Sequence, residues 1–152
     1  YIDPVLAGFY QLMAKEQSAP MATDTVLNLS WEELAQRTYE IELFIKENKD
    51  YQPIRDDLTW IYGNYVNALV MGTNETPIFD YKTHGFSEAA KTAYAAFINK
   101  YSDSATAWAL TEYFTYLNSI GFTMDYNDKI SSKLFFDTCD WLVSESGKRV
   151  FQ

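Results

Sequence analysis

The 152-residue chain holds one histidine, His84, and one cysteine, Cys139. Zinc sites built from two or three imidazoles, and the HExxH helix motif, are thereby excluded. Cys139 has no second thiol with which to close an intrachain bridge. It stands among Phe135, Leu142 and Val143 and reads as a small core residue rather than as a nucleophile paired with His84. The six glycines are isolated, so neither a phosphate cradle nor a nucleophile elbow can be built from them. Asp125 to Lys129 opens like a calcium loop, but Lys129 falls where a ligand is required and Ile130 where glycine belongs. Asn127 or Asp128 reads better as a helix cap, and the sequence asks for no metal and no cofactor.

Carboxylates are the remaining reactive groups, and three pairs stand out: Glu32 with Glu33, Asp56 with Asp57, and Asp137 with Asp140. Acid–base work needs two carboxyls in unlike environments facing one cleft. The first two pairs fall in first turns of expected helices, where the positive end of the dipole accounts for them. The third shares an outward helical face. Glu33 with Arg37 and Glu42 with Lys46 read as exposed i,i+4 ion pairs, each a few tenths of a kcal/mol. No catalytic residue is assigned, and a small hydrolase or glycan-acting domain using carboxylates in a Tyr- and Trp-lined groove stands as the alternative to a binder.

Aromatic residues are in excess, at 17% of the chain with four Trp and twelve Tyr. Such rings supply rigid contact area with a polar handle. Phe79, Tyr81, His84 and Phe86 place four rings in one aperiodic stretch, 73–86, and form the candidate binding site. Either they plug the top of a bundle or they form an exposed contact patch.

Helical periodicity and caps define the elements that would carry this loop. Apolar stripes predict helices over 4–17, 31–49, 53–71, 87–101, 105–120 and 128–146, in a single all-α domain spanning 1–152. Asp3-Pro4, the capping box Ser30-x-x-Glu33, Ser87, Ser104 and Asp128 open helices, while Gly72, Gly121 and Gly147 close them. Ser18 to Leu29 reads as a long connection. The inward face of the last helix is expected to carry Ile130, Leu134, Thr138, Trp141 and Leu142, and Trp31, Ile41, Phe97 and Trp141 are expected in the core. Tyr39, Trp60, Tyr62, Tyr113, Tyr116 and Tyr126 fall off the inward stripes, so they are exposed or form a second buried face.

Phe86 to Ala90, Phe97 to Ser104, Ala107, Leu110 and Gly121 together resemble one tetratricopeptide-type helical hairpin of bacterial envelope proteins. The resemblance covers about 36 residues without a second copy near the 34-residue period, and it implies an antiparallel hairpin and binding rather than catalysis.

Net charge is −9, with twelve acidic and five basic residues in 1–76 against nine and seven in 77–152. Nucleic acid and anionic membrane surfaces are disfavoured partners, and a basic protein face would suit the first half. No apolar run approaches the roughly 20 residues a membrane span needs. The tilt toward Tyr, Thr and Asn, with three arginines, suggests a secreted or surface-anchored protein, and the opening at Tyr1 reads as a leader removed either by biology or by the choice of boundaries. The expected role is a non-catalytic helical domain that binds another protein. A glycan ligand, or a structural part of a larger surface protein, are its rivals.

Overall fold

The computed structural model describes residues 2–152. Six helices form: α1 Pro4–Ser18, α2 Trp31–Glu47, α3 Arg55–Met71, α4 Glu88–Lys100, α5 Ala105–Ser119 and α6 Lys129–Arg149. The all-α expectation holds, with one addition. The 18–29 connection contains a two-residue hairpin, β1 Ala22–Thr23 paired antiparallel with β2 Val26–Leu27. Asp24 and Thr25 turn it with positive φ, a conformation Asp adopts at modest cost and the β-branched Thr25 only with strain.

Helix starts follow local chemistry closely. Ser30 and Glu33 exchange both capping-box bonds, and Ser87, Ser104 and Asp128 each accept from amides of the turn they open. Pro53 lies in a short 3-10 turn, Gln52–Ile54, that leads into α3 rather than at the first position of α3 itself. Gly72 and Gly121 leave their helices at φ +69° and +67°. At Gly72 a Cβ would stand 2.3 Å from the Thr76 carbonyl, so only glycine fits. Gly147, expected to end α6, lies inside it. Val150 beyond is fully buried and Lys148 and Arg149 meet the negative end of the dipole, so the helix runs on to Arg149.

Helices α2, α3, α6, α5 and α4 pack in that cyclic order and close on themselves, with α5 also reaching α2 and α3 across the middle. The α4–α5 hairpin anticipated by the tetratricopeptide resemblance is present, but it closes a bundle rather than beginning a stack. No residue of α1 is buried; the helix lies outside, held by Lys15 to Glu40 at 2.8 Å and by Glu16, which accepts from the Tyr65 hydroxyl and pairs with Arg37. Arg37 also donates to the Ala19 carbonyl. It therefore serves α1 instead of the expected Glu33, which is committed to its cap.

The core answers the question of the off-stripe tyrosines. Tyr62 and Tyr113 are fully buried, Tyr39, Tyr116 and Tyr126 partly so, and Trp60 is exposed. The hydroxyls of Tyr94 and Tyr113 donate to the carbonyls of Leu69 and Val70. Those oxygens belong to the last turn of α3, which has no intrahelical donors left for them. Among the four residues expected in the core, Ile41 and Phe97 are buried, Trp31 is partly covered, edge-on to Tyr94, and Trp141 is 47% exposed.

Glu42 also departs from expectation. Its carboxylate is buried, not an exposed i,i+4 partner. It accepts from the amides of Ala105 and Thr106 at 2.8 and 2.9 Å and from the Thr106 hydroxyl at 2.6 Å, while Lys46 approaches from the rim at 2.7 Å. A side chain of α2 thus satisfies the orphan donors at the start of α5. The Tyr62 hydroxyl, 2.9 Å from the Thr106 hydroxyl, extends the network into the core.

Candidate interaction surface

The loop between α3 and α4 is a folded knot. The Asp80 carboxylate accepts from the amides of Lys82 and Thr83, both at 2.8 Å, and these bonds hold its pKa below the ordinary value. His84 follows at φ +66°, and its carbonyl accepts from Met124 in the α5–α6 connection, while Phe86 donates to Phe122. Two distant connections are thereby laced together at one end of the bundle.

This lacing splits the four candidate residues. Phe79 is fully buried, edge-on to Phe86 and Phe135 at 5.4 Å each, and Phe86 is buried against Tyr113. Both rings plug the bundle. Tyr81 is 55% exposed, its ring 5.3 Å from Tyr126 and its hydroxyl donating to the Asn74 carbonyl at 2.7 Å. His84 is half-buried, with Nδ1 3.6 Å from the Asp125 carboxylate. Of the four, only Tyr81 and His84 reach the surface.

The more extensive exposed apolar surface lies on α6. Of the eleven large apolar side chains exposed among the described residues, four belong to this helix: Ile130, Leu134, Phe136 and Trp141. At 100° per residue, Ile130, Leu134 and Trp141 fall within about 40° of one another around the axis. The residues α6 buries, Phe135, Cys139, Leu142 and Ser146, cluster about 140° away. The helix has two apolar stripes, and the expectation that Ile130, Leu134 and Trp141 point inward selected the outer one. Phe135 and Cys139 win the core because Phe135 meets Phe79 and Tyr116, and Cys139 sits under the end of α3 with Sγ 3.9 Å from the Val70 carbonyl. Burial pushes the Cys139 thiol far above its ordinary pKa, so it stays protonated and unreactive.

Beside the outer stripe, α5 contributes Trp108, whose ring lies 5.6 Å from that of Trp141 and carries the Arg149 guanidinium on its other contact at 3.9 Å. Trp and Arg are the residue types most enriched at interface hot spots. The sequence held a signal for this surface: α6 has more large apolar residues than one face of a half-buried helix can cover.

A cleft of about 450 Å³ also opens between α2 and α4, floored by Ala35, Ala93, Ala96 and Phe97. Its acids do not converge as a catalytic pair. Glu33 is engaged in its capping box, Glu40 is bound by Lys15, and Glu32 projects to solvent. Asp137 and Asp140 are exposed on α6, with Asp137 2.6 Å from Lys133. Among the described residues, no three His, Cys, Asp or Glu side chains gather as a metal would require, and no helix is long and apolar enough to cross a membrane.

Comparison with protein-family models, curated proteins and solved structures gives no significant match to this chain.

Proposed function

We propose that this chain is a non-catalytic helical interaction domain that binds protein through the outer face of α6, and that it works outside the cytoplasm. The observation that carries the reading is the outer stripe itself: Ile130, Leu134 and Trp141 are 84%, 53% and 47% exposed on one helical face, beside a Trp108–Arg149 stack. A large apolar side chain left singly in water is ordinary, whereas an aligned group with aromatic and Arg neighbours is the composition of a contact surface. Binding is favoured over hydrolysis because, of the acids of the α2–α4 cleft, Glu33 is spent on a cap and Glu40 on an ion pair, which leaves Glu32 without a second free carboxylate to work with.

A photo-crosslinking side chain placed at Leu134, with Thr59, exposed on the outer side of α3, as the control position, tests this in native extract. Position 134 is expected to capture a protein and Thr59 is not, and Trp141→Asp is expected to abolish capture while the chain stays folded, with its melt lowered only by the loss of the half-buried ring against Trp108. Equal capture from both positions, or none from 134, refutes the surface. The extracytoplasmic placement is supported by the Tyr, Thr and Asn tilt of the composition. Fractionation of the tagged full-length protein in its source cells tests it.

A further inference from the structure

Resting on that reading of α6, we infer that the partner is a second copy of this chain, paired antiparallel along α6 about a two-fold axis. The helix is 21 residues long, about 31 Å. Along its outer face Ile130, Leu134, Asp137, Trp141, Ser144 and Lys148 recur at the alternating four and three spacing of a two-helix seam, apolar at Ile130, Leu134 and Trp141 and polar at the other three. In the antiparallel pair the four positions from Ile130 to Trp141 have partners within α6.

Charge selects the orientation. In a parallel pair Asp137 would face its own copy, Lys148 would face its own copy, and Asp140 would flank Glu145 of the other chain. Every one of these contacts is repulsive, and the two helix dipoles would lie side by side in the same sense. In the antiparallel pair with its axis between Phe135 and Phe136, Ile130 packs on Trp141 of the second copy. Lys133 then faces Asp140 of the second copy, and Ser131 faces Thr138. Each contact occurs twice, as an isologous interface requires.

Lys133 already holds Asp137 at 2.6 Å, so this lysine stands between an acid of its own chain and one of the other. Trp108 beside Trp141 widens the apolar contact at each end of the pair, where Trp141 meets Ile130 of the second copy. The least favourable element is Asp137 itself, which comes to lie beside Leu134 of the second copy close to the axis. A single helix pair also buries less than the roughly 800 Å² per partner of a standard interface. The dimer is therefore weak and reversible, with a dissociation constant of about 10⁻⁵ to 10⁻⁴ M.

Sedimentation equilibrium of the purified chain, from about ten-fold below to ten-fold above that range, tests the pairing. The weight-average mass is expected to climb from monomer toward twice that value with concentration. Trp141→Asp should hold it at monomer. Lys133→Glu should weaken association about ten-fold, and Lys133→Glu combined with Asp140→Lys should restore it, because each chain then carries both reversed partners. Asp137→Asn should tighten it a few-fold by removing charge near the axis. Circular dichroism melts of every variant verify the fold.

A monomer at all concentrations overturns self-pairing, and so does a dimer that the double reversal does not rescue. Crosslinking from Leu134 to a foreign protein, with the purified chain monomeric, overturns the second copy as partner and leaves α6 as an interface. A dimer indifferent to every α6 substitution removes both readings.

Discussion

Removing the Glu42 carboxylate is the most severe test of how this bundle is held. In Glu42→Ala the amides of Ala105 and Thr106 lose their acceptors where water cannot readily replace them, while the Thr106 hydroxyl keeps Tyr62 as a partner. A buried donor left unpaired costs about 1–3 kcal/mol, and a carboxylate at a helix N-terminus contributes up to about 2 kcal/mol more. Allowing for partial relaxation, the expected loss is about 4 kcal/mol, which in a chain of this length lowers the melting temperature by about 8–16 °C. Glu42→Gln keeps an acceptor oxygen for Thr106 but turns an NH2 group toward the Ala105 amide, so it should lose about 1–3 kcal/mol. Lys46→Ala removes only a rim partner that is itself 37% exposed, and should cost about 1 kcal/mol or less. Urea melts at neutral pH, followed by helical ellipticity, read all three. A Glu42→Ala loss below about 1.5 kcal/mol, or a Lys46→Ala loss equal to it, would refute the reasoning that the carboxylate acts chiefly on the start of α5.

The laced loop should divide sharply under alanine substitution. Phe79→Ala is expected to cost about 3–5 kcal/mol through lost burial and a residual cavity, and Tyr81→Ala less than about 1 kcal/mol, by the same urea melts. Hydrogen bonds from backbone amides depress the pKa of both Asp80 and Asp128 below the ordinary 3.8. A depressed carboxylate adds stability above its unfolded pKa and loses it as pH falls through the folded one, so these two should steepen the acid limb below about pH 4. Asp128→Asn, which keeps the cap without a titrating group, should flatten that limb in urea midpoints measured against pH. Cys139 should resist iodoacetamide in the native protein and react at the rate of unfolding in denaturant, since its thiol is buried and its pKa raised.

What the sequence made legible was local. Ser30, Ser87, Ser104 and Asp128 act on amides two or three residues away, and each forms its cap where expected. The stripes of α2 and α4 contain one apolar face each, so Ile41 and Phe97 could be placed in the core. Helix α6 offers two, and nothing within its own residues says which one α3 and α5 will cover. Glu42 illustrates the other limit. Beside Lys46 it has the spacing of a surface ion pair, and the amides that bury it lie more than sixty residues on. Tyr62 and Tyr113 were ambiguous for the same reason, because a tyrosine enters a core when some remote oxygen pairs with its hydroxyl, and Thr106 and Val70 are remote. Of the candidate site, the sequence located the aromatic loop but could not separate the plugging Phe79 and Phe86 from the outward Tyr81, since that depends on contact with Phe135 and the α5–α6 connection.

Because α2 supplies the cap of α5, and tyrosines of α4 and α5 donate to the last carbonyls of α3, helix ends in this chain are finished by segments that arrive from elsewhere. The usual gradient of exchange along a helix, fastest at its ends, is then reversed at these points. The amides of Ala105 and Thr106 sit in a first turn, where fraying ordinarily lets deuterium in within moments. Here their protons leave only when α2 separates from α5, an event that opens the middle of the ring, so these two terminal amides exchange on the timescale of global unfolding.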